Sequence, residues 1–185
     1  MKKRTIALLC AAMMVVGIAA GGTLAWLVSN GGTVTNTFTS SDISIELTET
    51  TGETYKMVPG YTIAKNPTVT VEADSEKSYL FVKLEKKNNF DNFMTYTMAD
   101  GWTELTVGSG IYYRVVDASG SDQEFAVLKD NQVTVKGEVT KAAMDALTTA
   151  NYPQLIVSAY ASQYMKNNTT PFSAAEAWDN ANPTT

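Results

Sequence analysis

The chain has 185 residues, with 14 Lys and Arg against 19 Asp and Glu, a single cysteine and no histidine. The lack of histidine excludes imidazole acid–base chemistry, Ser-His-Asp triads and HExxH zinc sites. The acidic balance argues against nucleic acid or an anionic membrane surface as a partner, because both repel negative charge.

The N-terminus reads as a secretory leader. Lys2, Lys3 and Arg4 form a positive region, Ile6 to Ala20 is an apolar run, and Gly21-Gly22-Thr23-Leu24-Ala25 is a small-residue stretch. This tripartite pattern predicts a helical signal segment over 1–25, removed after Ala25 or within two residues of it. The only cysteine, Cys10, lies inside the leader, so the mature part has no thiol and no disulfide. With the three basic leader residues gone, 11 basic and 19 acidic residues remain, a net charge of −8. Two alternatives stand beside cleavage. Apolar or neutral residues continue through Trp26, Leu27 and Val28, long enough for an uncleaved anchor, but Gly17, Gly21 and Gly22 weaken it and no charged stop follows. A lipoprotein through Cys10 is disfavoured by the large Leu9 before it.

Beyond the leader the chain alternates short apolar runs with turn residues. Thr33 to Thr39, with Val34 and Phe38 as its apolar points, and Ile43 to Leu47 read as strands. Pro59-Gly60 predicts a turn with Pro at i+1 and Gly at i+2. Val69 and Val71 mark a half-buried strand, and Asp74 to Lys77 a polar loop. Tyr79 to Glu85 is the strongest strand, with Leu80, Val82 and Leu84 on one face. Asn88 to Asp100 reads as irregular, and Asp100-Gly101 turns the chain into Trp102. Ile111 to Asp117, Glu124 to Leu128 and Val133 to Val135 read as a three-stranded meander. Thr140 caps a short helix through Leu147, Leu155 to Tyr160 is the last strand, and Ser173-Ala174-Ala175-Glu176 is a capping box opening a helix that includes Trp178. The pattern predicts a mainly β fold: an antiparallel jelly-roll-like β-sandwich with two short flanking helices.

Residues that carry chemistry are few. Asp117, Asp122 and Glu124 flank a predicted hairpin but lack EF-hand spacing, so they read as a solvated turn rather than a calcium site. Asp42, Glu46 and Glu49 read as the wet, charged side of a strand. Tyr112, Tyr113, Tyr152, Tyr160 and Tyr164 are candidates for a sugar-binding surface, against the commoner role of aromatics in cores and cross-strand pairs. Ser-x-x-Lys and Gly-x-Ser-x-Gly motifs are absent from residues 26–185. No catalytic residue, metal ligand or cofactor site is expected. A hydrolase would need a pair of close carboxylates that sequence does not reveal.

One constellation is more specific. Gly21 to Trp26 is followed by Thr35-Asn36-Thr37-Phe38-Thr39, Asp42 to Leu47, Pro59-Gly60, Ile63-Ala64-Lys65-Asn66-Pro67 and Tyr79 to Leu84. This order resembles the TasA/CalY (camelysin-like) family of secreted proteins from Gram-positive bacteria. The resemblance is strongest over residues 21–85 and continues more weakly in Ile156 to Ala161 and Ala174 to Trp178. It implies processing by the dedicated signal peptidase SipW, with Trp26 at or near the mature N-terminus. It also implies a jelly-roll-like sandwich over 41–185 and a role as a subunit of extracellular biofilm-matrix fibres, alone or with other matrix proteins. The N-terminal segment 26–40 of one subunit would then complete a sheet of the next, with Trp26, Leu27, Val28, Val34 and Phe38 as the candidate donor-strand residues. An unpaired edge offers backbone donors and acceptors that such a segment satisfies. The segment is uncharged and rich in Thr, Val and Asn. It serves equally as a first strand of its own sheet. The peptidase activity described for some members does not carry over, because the histidines of a zinc site are missing. The alternative function is a monomeric secreted binding module for a glycan or a surface protein.

Overall fold

The computed structural model describes residues 42–52 and 55–182. Ten strands lie among them: β1 (Ile45–Thr48), β2 (Thr62–Ala64), β3 (Thr68–Val71), β4 (Ser78–Lys87), β5 (Met94–Thr95), β6 (Thr103–Glu104), β7 (Ile111–Val116), β8 (Gln123–Ala126), β9 (Gln132–Val135) and β10 (Gln154–Gln163). The helices are short: α1 (Phe90–Phe93), α2 (Lys141–Asp145) and α3 (Ala174–Ala181). The signal segment and the Thr33–Thr39 strand fall outside the described residues.

The strands form three antiparallel sheets, ordered β1-β3-β8, β10-β4-β7-β6 and β2-β9-β5. The mainly β class read from the sequence therefore holds. The three-stranded meander does not: β7, β8 and β9 lie in three different sheets. β8 and β9 part at the corner after β8. There the Val127 N–H donates to the Pro67 carbonyl at 3.0 Å, and Leu128 bridges to Met98. Val127 and Leu128 are both fully buried, and carrying them through the core moves the chain from one sheet to the next.

β4 organises the molecule because it is apolar on both faces. Leu80, Val82 and Leu84 point into the main core with Val69 and Val71 of β3 and Val133 and Val135 of β9. Tyr79 and Phe81 point the other way into a second, aromatic cluster under α3. The unbroken apolar stretch from Tyr79 to Val82 is what a strand covered on both faces requires.

Two turns depend on glycine. At Val58-Pro59-Gly60-Tyr61 the Tyr61 N–H donates to the Val58 carbonyl at 3.1 Å with Gly60 at φ +79°, a type II turn as predicted. Gly110 sits against β4, where an added Cβ would meet the Leu84 carbonyl oxygen at 2.6 Å. No side chain fits there.

The helices follow their caps. Thr140 Oγ1 accepts from the Ala143 N–H, but α2 ends at Asp145, short of the expected Leu147. α1 lies in the stretch read as irregular, entered through left-handed Asn88 and Asn89. α3 opens with the expected capping box: Ser173 Oγ accepts from the Glu176 N–H at 3.3 Å, and the Glu176 carboxylate accepts from the Ser173 N–H at 3.0 Å. Glu176 also pairs with Lys166 at 2.7 Å.

Those bonds, from Lys166 first and then from Ser173, lower the Glu176 carboxyl from 4.5 to about 2. A depressed carboxyl stabilises the folded state above its unfolded value, and that contribution disappears as pH falls through the folded value. α3 is therefore expected to loosen between pH 4.5 and about 2. The Trp178 indole resonance followed by NMR over that window checks this. In Glu176→Gln the pH dependence of α3 in the window should weaken, and a titration identical to wild type would refute the assignment.

Candidate functional site

β10 is the longest open edge among the described residues. It pairs with β4 over all ten of its residues, and its other side carries no strand among the described residues. In an antiparallel ladder the backbone groups of successive residues point to opposite sides. The Tyr164 N–H donates to the Lys77 carbonyl at 3.2 Å, and the Leu84 N–H to the Gly110 carbonyl at 2.8 Å. Both bonds continue the registers on the two sides of β4. Even-numbered residues of β10 therefore bond β4. Leu155, Val157, Ala159, Ala161 and Gln163 turn their N–H and C=O groups outward. The side chains of Leu155, Val157, Ala159 and Ala161, each partly buried, pack against the main core. β1, also an edge strand, lies close to β10 without bonding to it.

Beside the first residues of β10 runs a groove whose lining is more apolar than polar. One stretch, about 650 Å³, is walled by Met57, Ile63, Met94, Met144 and Leu147, with Lys56 and Tyr152 among its other lining residues. A second stretch, about 400 Å³, shares Met94 with the first and adds Phe90, Val133, Leu155 and Ile156. The described lining residues of both stretches include two cations, Lys56 and Lys65, and no Asp or Glu. Lys65 is taken up by Glu49 at 2.8 Å. Burial pushes the Glu49 carboxyl up, but hydrogen bonds from Lys65 and Tyr55 outweigh it and leave it below the ordinary value. Lys56 has no ion-pair partner among the described residues.

The acidic residues noted in sequence are dispersed by the fold. Asp117 pairs with Lys77 at 2.7 Å, Asp122 Oδ1 accepts from the Ala73 N–H at 2.8 Å, and Glu124 lies on β8 opposite Thr70. Glu46 is exposed on β1. No group of three metal-ligating side chains occurs among the described residues. The five tyrosines separate as well. Tyr113, Tyr160 and Tyr164 pack with Trp178 beneath α3, Tyr112 packs against the main core, and Tyr152 is exposed.

Sequence reasoning passed over Arg114. Its guanidinium lies 4.0 Å from the Phe125 ring centroid and 5.4 Å from that of Trp102, tying β7 to β8 across two sheets. Trp102 Nε1 donates to the Ala126 carbonyl at 2.9 Å and closes the same seam. Arg114 Nε is buried without a hydrogen-bond partner among the described residues, and desolvation lowers the guanidinium pKa. Cation–π contact replaces the missing hydrogen bond.

The residues assigned to cleavage and strand donation, Ala25, Trp26, Leu27, Val28, Val34 and Phe38, lie outside the described residues. The chain matches no family model, no curated protein and no solved structure.

Proposed function

We propose that this chain is a secreted structural protein of a Gram-positive bacterium, a jelly-roll-like subunit of extracellular biofilm-matrix fibres that assembles by β-strand addition. The observation carrying this reading is the edge of β10, ten residues long, backed by apolar side chains and carrying no second strand among the described residues, in a chain that also holds the uncharged, β-branched segment 26–40. The tripartite leader supports export, and the ordered motifs from Gly21 to Leu84 support the resemblance to the TasA/CalY family. A signal peptidase frees the segment at Trp26, and the freed strand of one subunit pairs with the edge of the next. Such a head-to-tail contact propagates rather than closing. Membrane contact is confined to the leader before it is cut.

Charge substitution in the donor tests the reading. Val34→Asp with Phe38→Asp in the processed protein is expected to leave a monomer by sedimentation and no fibres by electron microscopy, under conditions where wild type forms them. Fibres that persist, or a wild type that stays monomeric under acid and salt triggers, would refute it. If wild type never assembles and the substitutions lower its Tm, the segment belongs to its own sheet.

A further inference from the structure

We propose that the methionine-walled groove beside β10 is a binding site for an amphiphilic carboxylate, an apolar chain ending in a single negative charge. Four observations carry this. The larger stretch, about 650 Å³, falls within the roughly 300–1,000 Å³ of small-molecule sites. Its wall carries Met57, Met94 and Met144, three unbranched and polarizable side chains that reshape around an apolar guest. The described lining of both stretches is free of acids, although the chain carries 19 Asp and Glu. Its two cations divide into one neutralised by Glu49 at 2.8 Å and one, Lys56, without an ion-pair partner among the described residues. A carboxylate at Lys56 with its chain along Met57, Ile63 and Met144 satisfies both the charge and the apolar wall. A cationic or uncharged amphiphile satisfies only the wall. Met94 continues into the second stretch, so a longer chain reaches Leu155 and Ile156.

This inference stands apart from the fibre reading, since it concerns side chains of the groove and not the backbone edge. The test is a titration of the full chain, labelled on its methionine methyl groups, with dodecanoate below its micelle concentration. The Met57, Met94 and Met144 resonances should shift and saturate together, while Met98 and Met165, outside the groove lining, stay in place. Lys56→Gln and dodecyltrimethylammonium in place of dodecanoate should each weaken binding about fivefold, the size expected of one exposed charge pair. Met144→Gln, on the surface of α2, should weaken it with the fold intact. Equal binding of the cationic amphiphile, shifts shared by Met98 and Met165, or no saturable shift would overturn the assignment. Shifts that follow protein concentration alone would overturn it too, and would give the groove to a second copy of the chain.

Discussion

Phe81→Ala is expected to destabilise the fold by about 3–5 kcal/mol, the range for emptying a buried aromatic site. For a domain of this size that is a fall in Tm of roughly 10 °C. Phe81 is fully buried on the face of β4 that carries α3. Its ring lies 5.4 Å from Trp178 in an edge-on contact, 6.0 Å from Tyr79 and 6.3 Å from Tyr113. Its removal takes away the surface on which the helix rests, and among the described residues Trp178 keeps the Tyr160 ring, at 5.1 Å, as its aromatic neighbour. The loss should be local before it is global. Hydrogen exchange should show α3 opening well below the global transition, with β3 and β9 still protected. Leu80→Ala, one residue away on the opposite face, removes a side chain from the main core and should lower Tm without first releasing α3. If Phe81→Ala leaves the exchange of α3 unchanged, the aromatic cluster is not what holds the helix.

How legible each part was in the sequence follows from how local its cause is. The turn at Pro59-Gly60 and the capping box at Ser173 are set by residues within four positions, and both stand where the sequence placed them. The strand at β4 was legible from its apolar run, and the second face of that run, Tyr79 and Phe81, is the clue that something must cover it. The sheet partners of β7, β8 and β9 were not legible. Polar loops between three strands look alike whether the strands pair or part; β8 leaves β9 where Val127 ends the pairing with β3 at Pro67 and Leu128 bridges to Met98. The groove was equally hidden. Met57, Met94 and Met144 belong to three separate parts of the chain and share no periodicity. Arg114 sits in a strand whose neighbours suggest a core position, and only the rings of Trp102 and Phe125 explain how a guanidinium is tolerated there.

The alternation along β10 separates assembly from folding through two adjacent proline substitutions. Proline removes an N–H and is accepted in a strand only where that N–H faces away from the ladder. The N–H of Ala159 points away from β4, whereas that of Ser158, opposite Lys83, points into the β4 ladder. Ala159→Pro is therefore expected to fold with a small loss of stability and, under the strand addition proposed above, to stop assembly altogether, because its ring occupies the line along which an incoming strand must bond. Ser158→Pro leaves the Lys83 carbonyl without its donor inside the sheet, a cost of about 1–3 kcal/mol, and should lower Tm clearly. Thermal denaturation and electron microscopy on the same preparations read the two effects. If Ala159→Pro forms fibres as wild type does, the acceptor is some other edge and the β10 assignment falls. If it unfolds as readily as Ser158→Pro, the register drawn from Tyr164 and Leu84 is wrong. Only an assembly defect without a folding defect fits an edge kept open for another strand.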